Sequence, residues 1–312
     1  MNPSSEDSIM NVQPNQSSVL LTGAGGLLGG RLAEALGAYQ VAAHHHHQPI
    51  GGVSPAVYCG DLSDPTHVAS LAGLIAPDVI INCAALADVD RCETDKELSL
   101  AVNVTLVANL ARLFPNARLV QISTDYVFSD DENRSEAAPR PHDRPDPINV
   151  YGRHKLEAEY LTLAASSKNL VVRVNSLFDH RGRKNIFSHA YDSLRKGETI
   201  YGLVDQISNP IAAIDAARLI AGLIEGGAMG IFHVGGRDTV SRHEFTLCIA
   251  DYFGFDRGLI ELLRSEERPR PAARPTRAGL DCTLTERFLK TPMPGLQDGF
   301  ACIARELRAQ GI

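Results

Sequence analysis

The segment "NVYGRHKLEAEYL", residues 149–161, sets Tyr151 four positions before Lys155. Leu156, Tyr160, Leu163 and Ala164 recur at helical spacing, which predicts a helix with Tyr151 and Lys155 stacked at i and i+4. A phenol beside an ammonium has its pKa lowered, because the positive charge favours the phenolate. Such a tyrosine can give a proton to a carbonyl oxygen as hydride reaches the carbon, or run the reverse. Lys155 can also hydrogen-bond a nicotinamide ribose. Thr124, in "VQISTDYVF", is expected just beyond a buried strand, where its hydroxyl can polarise the same carbonyl. Taken alone, a Tyr–Lys pair is an ordinary surface contact, so the elements around it decide.

Hydride chemistry requires a dinucleotide, and "VLLTGAGGLLGGRLAEAL" offers its cradle. Gly23, Gly26 and Gly29 follow the first strand and open an amphipathic helix. Glycine lets the chain turn tightly and lets backbone N–H groups approach a pyrophosphate, whose charge the helix N-terminus favours. The spacing G-x-x-G-x-x-G differs from the G-x-G-x-x-G of many dehydrogenases. Asp61, in "CGDLSDP", ends a strand where it can accept from an adenine amino group, or else cap the next helix. Ala84 and Ala85, in "IINCAAL", let a flat cofactor lie close, or simply pack. Each stands at the carboxyl end of a successive strand, where ligands bind in such folds.

The second strand is expected to end near Ala43, where NAD-selecting enzymes place an acid against the ribose. Here His44, His45, His46 and His47 follow, with no carboxylate nearby. One or two imidazoles, helped by Arg31, are expected to accommodate a 2′-phosphate, so NADPH should bind at least as well as NADH. The preference should strengthen as pH falls through the histidine range. No metal is expected, because adjacent histidines point in alternating directions.

Short apolar bursts alternate with helical patterns near residues 27–37, 66–75, 95–113 and 150–165, which predicts a parallel sheet with helices on both faces. The expected organisation is a flexible tail over 1–17, a dinucleotide-binding domain over 18–178, and a mainly substrate-binding lobe over 179–312. Within that lobe a strand near 230–235 should return to the sheet. Residues 129–148 and 264–280 read as long loops. The 312 residues carry a net charge of −7 and no membrane-length apolar run, which argues against nucleic-acid and membrane partners. The first seventeen residues are not a signal peptide, and six scattered cysteines suit reduced thiols in a cytoplasm. Two basic clusters, Arg181, Arg183 and Lys184, then Arg264, Arg268, Arg270, Arg274 and Arg277, suit a diphosphate or else are solvated loops.

From residue 18 onward the chain resembles the extended short-chain dehydrogenases/reductases, and within them the dTDP-4-dehydrorhamnose reductase family. The resemblance rests on "TGAGGLLG", "GDLSDP", "PDVIINCAALADVDRCE", "STDYVF", "YGRHKLEAE", "VDQISNP" and "ARPTRAGLD". It implies an α/β fold, a Rossmann-type doubly wound parallel sheet with a smaller C-terminal substrate-binding lobe. It implies Thr124, Tyr151 and Lys155 as the catalytic set. Around NADPH (or NADH) it implies Gly23, Gly25, Gly26, Leu27, Leu28, Gly29, Asp61, Leu62, Ala84, Ala85 and Asn103, with Tyr151 and Lys155. Asn103 would position the lysine through water. On the substrate side it implies Asp125, Asn175, Gln206 and Arg274, a nucleotide-sugar ligand, and compatibility with a homodimer.

The departures lie on that substrate side. The family's "RTSW" is Arg173-Val174-Asn175-Ser176, and the chain has no tryptophan. "DQ..SPT" has lost its threonine at Ile211, "RP.NS.L" has lost its serine, and Ala87 replaces the threonine before "VD". A different sugar is therefore open, as are two other functions: an epimerase or dehydratase of the same fold, or a regulatory subunit like the methionine adenosyltransferase β subunit. Retention of Thr124, Tyr151 and Lys155 argues against the regulatory role.

Overall fold

The computed structural model describes residues 17–37, 39–46, 56–130, 138–182 and 185–311. His47, Arg183 and Lys184 lie outside these residues. Seven parallel strands form one sheet: β1 (Ser18–Thr22), β2 (Gln40–His45), β3 (Ala56–Cys59), β4 (Val79–Asn82), β5 (Arg118–Thr124), β6 (Leu170–Val174) and a last strand, Gly230–Val234. Their order runs from the last strand through β6, β5, β4 and β1 to β2 and β3. The order in which strands are added reverses between β1 and β4, the crevice where doubly wound sheets take their ligands. The strands read as near-continuous apolar runs because helices cover both faces: Leu20 and Ile80 pack to one side, Leu21, Ile81 and Val120 to the other.

Two sequence expectations shift slightly. β2 runs two residues past Ala43, because His44 pairs with Thr22 on one side and His45 with Cys59 on the other. The expected single helix over 95–113 is instead Lys96–Leu100, a π-helical turn Ala101–Thr105, and Leu106–Leu113.

The smaller lobe holds three two-stranded sheets, including Ile200–Leu203 with Ile260–Leu263. Its core is aromatic: Phe178, Phe187, Phe245 and Phe300 are fully buried against one another. Segment 264–280 is tied to the sheet domain rather than free. The backbone N–H groups of Thr276 and Arg277 donate to Asp130 at 2.7 and 2.8 Å, and Asn149 Nδ2 donates to the Ala273 carbonyl at 2.9 Å. Among the described residues, no helix is long and apolar enough to cross a membrane.

Candidate active site

Gly23 adopts φ +65°, and a Cβ there would stand 2.6 Å from the Ala84 nitrogen. Only glycine allows this backbone-to-backbone approach between the first turn and the end of β4. The helix Leu27–Ala35 begins at Gly26, which has no side chain to cap it, so the first-turn N–H groups of Leu27, Leu28 and Gly29 remain for an anion. A cleft of about 370 Å³ opens there, lined by Gly23, Gly25, Gly26, Asp61, Leu62, Ala84 and Ala85, and also by His44, His45 and His46. The glycine cradle, uncapped helix and size suit a dinucleotide.

Asp61 is not the cap of the next helix, since Asp64 accepts from Thr66 there. Asp61 instead accepts from the Ser63 N–H and hydroxyl at 2.8 and 2.7 Å. Burial pushes its carboxyl up, but the Ser63 bonds and nearby His46 and His67 outweigh that and hold it below its ordinary range. The Asn103 amide clamps the Leu86 backbone, accepting from the N–H at 3.0 Å and donating to the carbonyl at 3.2 Å.

Two expectations about the 2′-phosphate need correcting. Arg31 is 2% exposed and its guanidinium is taken up by carboxylates: it forks onto Asp179 at 2.6 and 2.8 Å and onto Glu306 at 2.7 Å twice. His44 is buried with its Nε2 3.1 Å from His67 Nε2, and burial, then the neighbouring imidazoles, lowers it to about 4. It is neutral from pH 6 to pH 8, so it cannot supply the expected acid-strengthened preference.

Tyr151 lies in the first turn of the helix Val150–Ala165, whose Asn149 cap accepts from Gly152 N at 2.8 Å. A Cβ at Gly152 would overlap the Tyr126 carbonyl, so glycine is what lets this helix start against the residues following β5. Thr124 ends β5, and its hydroxyl lies near enough to Tyr151 to favour the phenolate. Lys155, 3% exposed, donates from Nζ to the Ile122 carbonyl at 2.6 Å. The expected depression of the phenol is overturned: burial, followed by the Asp125 charge, pushes Tyr151 up. Burial lowers Lys155 to about 8, against the pull of Glu159.

Glu159, one turn beyond Lys155, escaped the sequence reading although its i+4 spacing was visible. It accepts from Arg173 Nε and Nη2 at 2.9 and 2.7 Å and from Ser123 Oγ at 2.5 Å. Arg173 stacks over Phe128 at 4.9 Å and Ser123 precedes Thr124, so the helix is pinned to β5 and β6 beneath the reactive groups.

On the substrate side, Asp125 is 4% exposed and adjoins Tyr151. Asn175, Gln206 and Arg274 fasten the late segment: Asn175 Nδ2 donates to the Ala278 carbonyl, Gln206 Nε2 to Ser265 Oγ at 3.2 Å, and Arg274 forks onto Asp90 at 2.9 and 2.8 Å. A second cleft, about 360 Å³, is lined by Arg242, Arg268 and Arg270 with Asn185, His189 and Tyr201. Arg270 is lowered by burial and then by the charges of Arg274, Arg242 and Arg268, the signature of crowded cations. Arg242 of the second cleft also acts on Asp125, while Cys83 of the glycine cleft acts on Lys155. Sequence reasoning missed Arg242, which follows the helix-capping Ser241 and belongs to no motif.

Residues 17–308 match the family model described as the RmlD substrate binding domain. A "Probable low-salt glycan biosynthesis reductase" of Haloferax volcanii is 31% identical over 292 residues, 91% of this chain and 96% of its own. The dTDP-4-dehydrorhamnose reductase of Mycobacterium tuberculosis is 32% identical over 267 residues, 84% of either chain. Among solved structures, a dTDP-4-dehydrorhamnose reductase of Clostridium acetobutylicum aligns with TM-score 0.81 at 27% identity, covering 93% of this chain and 99% of its own. That of Bacillus anthracis, solved in complex with NADP, aligns with TM-score 0.79 at 27% identity, covering 94% and 100%.

Proposed function

Because the chain belongs to the dTDP-4-dehydrorhamnose reductase family of extended short-chain dehydrogenases/reductases, we propose that it reduces a keto group on a nucleotide-linked sugar with NADPH. The supporting observation is Tyr151, a phenol pushed up by burial, in the first turn of its helix beside Thr124 and Asp125. NADPH, when bound in the glycine cleft, supplies a hydride to the keto carbon. Tyr151 gives its proton to the keto oxygen, so C=O becomes CH–OH and the phenolate is left behind. Thr124 polarises that oxygen. Lys155, positioned from Ile122 and Glu159, stabilises the phenolate electrostatically and serves the nicotinamide ribose. A raised phenol suits this direction, because a donor must hold its proton until the carbonyl takes it.

Arg242, Arg268 and Arg270 grip the diphosphate, and the exposed ring of Tyr201 offers a face to the base. NADPH is favoured over NADH by the absence of a carboxylate among the described residues at the end of β2, and the NADP-bound relative agrees. The six free cysteines suit a reducing cytoplasm. Thermal stabilisation by dTDP-, UDP- and GDP-linked sugars, with and without NADPH, tests the reading. Additive shifts from NADPH and one nucleotide sugar support it, and no shift from either contradicts it.

A further inference from the structure

We propose that Asp125 is a positioning residue that sets which way the Thr124 hydroxyl points, and thereby whether the site can protonate a keto oxygen. This rests on the reductase reading above. Thr124 Oγ1 has one proton and two lone pairs. The Tyr126 N–H takes one lone pair at 3.2 Å, leaving one donor place and one acceptor place. Two groups compete for the donor place: Asp125 Oδ1, which holds it at 2.8 Å, and the substrate oxygen that enters beside Tyr151.

As a carboxylate Asp125 can only accept. Thr124 then donates to it, so the threonine proton is turned away from the substrate and only a lone pair faces the keto oxygen. As an acid Asp125 donates to Thr124, and the threonine proton is released to the keto oxygen beside the proton of Tyr151. No atom is consumed: the proton on Asp125 stays there, and the proton transferred to the sugar comes from Tyr151.

Asp125 is built to hold a proton. Its side chain is closed to solvent, and Oδ2 has no hydrogen-bond partner among the described residues. A permanently ionised carboxylate would leave that oxygen uncompensated. Burial pushes the carboxyl up to about 7, against the Thr124 bond, the local backbone N–H groups and Arg242. The other charged or titratable groups around it are Tyr126, Tyr151 with Cys92 behind it, Lys155 one turn on, and Arg270 and Arg274 acting through Tyr126. The cations are on the Arg242 and late-segment side, with no base directly on Oδ2.

The pH profile of kcat in D125N tests this. A single ionisation near 7 leaves roughly a tenth of the acid form at pH 8, so the parent should lose about tenfold between pH 6 and pH 8. An amide cannot titrate, so D125N should be flat over that range apart from the Lys155 limb that both proteins share. The same limb in D125N would overturn the proposal. Should D125N not fold, T124V serves: its residual turnover should be flat, because no hydroxyl remains to be turned, and an unchanged limb overturns the proposal. If the parent turns over no nucleotide sugar, the reductase reading fails separately. Carbon-13 NMR of the aspartate carboxyls then decides, with the Asp125 signal assigned by its loss in the variant. Titration near neutrality supports the proposal, and ionisation complete below about pH 5 overturns it.

Discussion

Glu159 stands one helical turn beyond Lys155 and forks onto Arg173, at 2.9 and 2.7 Å, with both side chains closed to solvent. Removing one partner of such a pair leaves a buried uncompensated charge, which costs about 3–5 kcal/mol. E159Q should therefore lower the denaturation midpoint. It should also lower the Lys155 pKa further from about 8, because the carboxylate that favours the ammonium is gone. The alkaline limb of turnover should move to lower pH. Unchanged stability with an unmoved limb would make the fork incidental.

Arg31 makes a second prediction. R31M should destabilise the fold by a similar ~3–5 kcal/mol while leaving the relative affinity for NADPH and NADH unchanged. The pair also has an acid signature. Against the upward push of burial, His180 and then Arg31 hold Asp179 at about 2 against an ordinary 3.8, so this stabilisation is complete above the ordinary value and lost as pH falls through about 2. Acid titration of stability in the parent and R31M checks this. A selective loss of NADPH affinity in R31M would restore Arg31 to the cofactor.

The arginines of the second cleft should separate into two classes. R242A and R270A should raise KM for the nucleotide sugar roughly ten- to hundredfold, as expected for charged hydrogen bonds worth ~1.5–3 kcal/mol. R274A should act mainly on stability, because its guanidinium already holds Asp90 and the Ala272 carbonyl. A larger KM effect for R274A than for R270A would reverse the assignment.

The cofactor half of the site was legible because its constraints are local. Gly23 must turn with positive φ, Ala84 must be small beneath it, and Tyr151 and Lys155 share a helix face. The arginine cleft was only partly legible. Arg268 and Arg270 announce themselves as a basic run, whereas Arg242 reaches the site from a helix start far along the chain. Burial was the other hidden quantity. Sequence spacing puts an ammonium near a phenol and predicts a lowered pKa, but desolvation and Asp125 reverse the sign. The same blindness hid that Arg31 is locked in a buried salt bridge and that His44, one of the four histidines expected near the phosphate, is desolvated.

The most direct measurement is NADPH oxidation on addition of a 4-keto nucleotide sugar, in the parent and in Y151F. The parent should oxidise NADPH in step with sugar reduction. Y151F should lose ~10²–10⁴ in kcat while binding NADPH normally, the range expected for a removed general acid. No oxidation by the parent with any dTDP-, UDP- or GDP-linked keto sugar, or turnover by Y151F equal to that of the parent, would contradict the account.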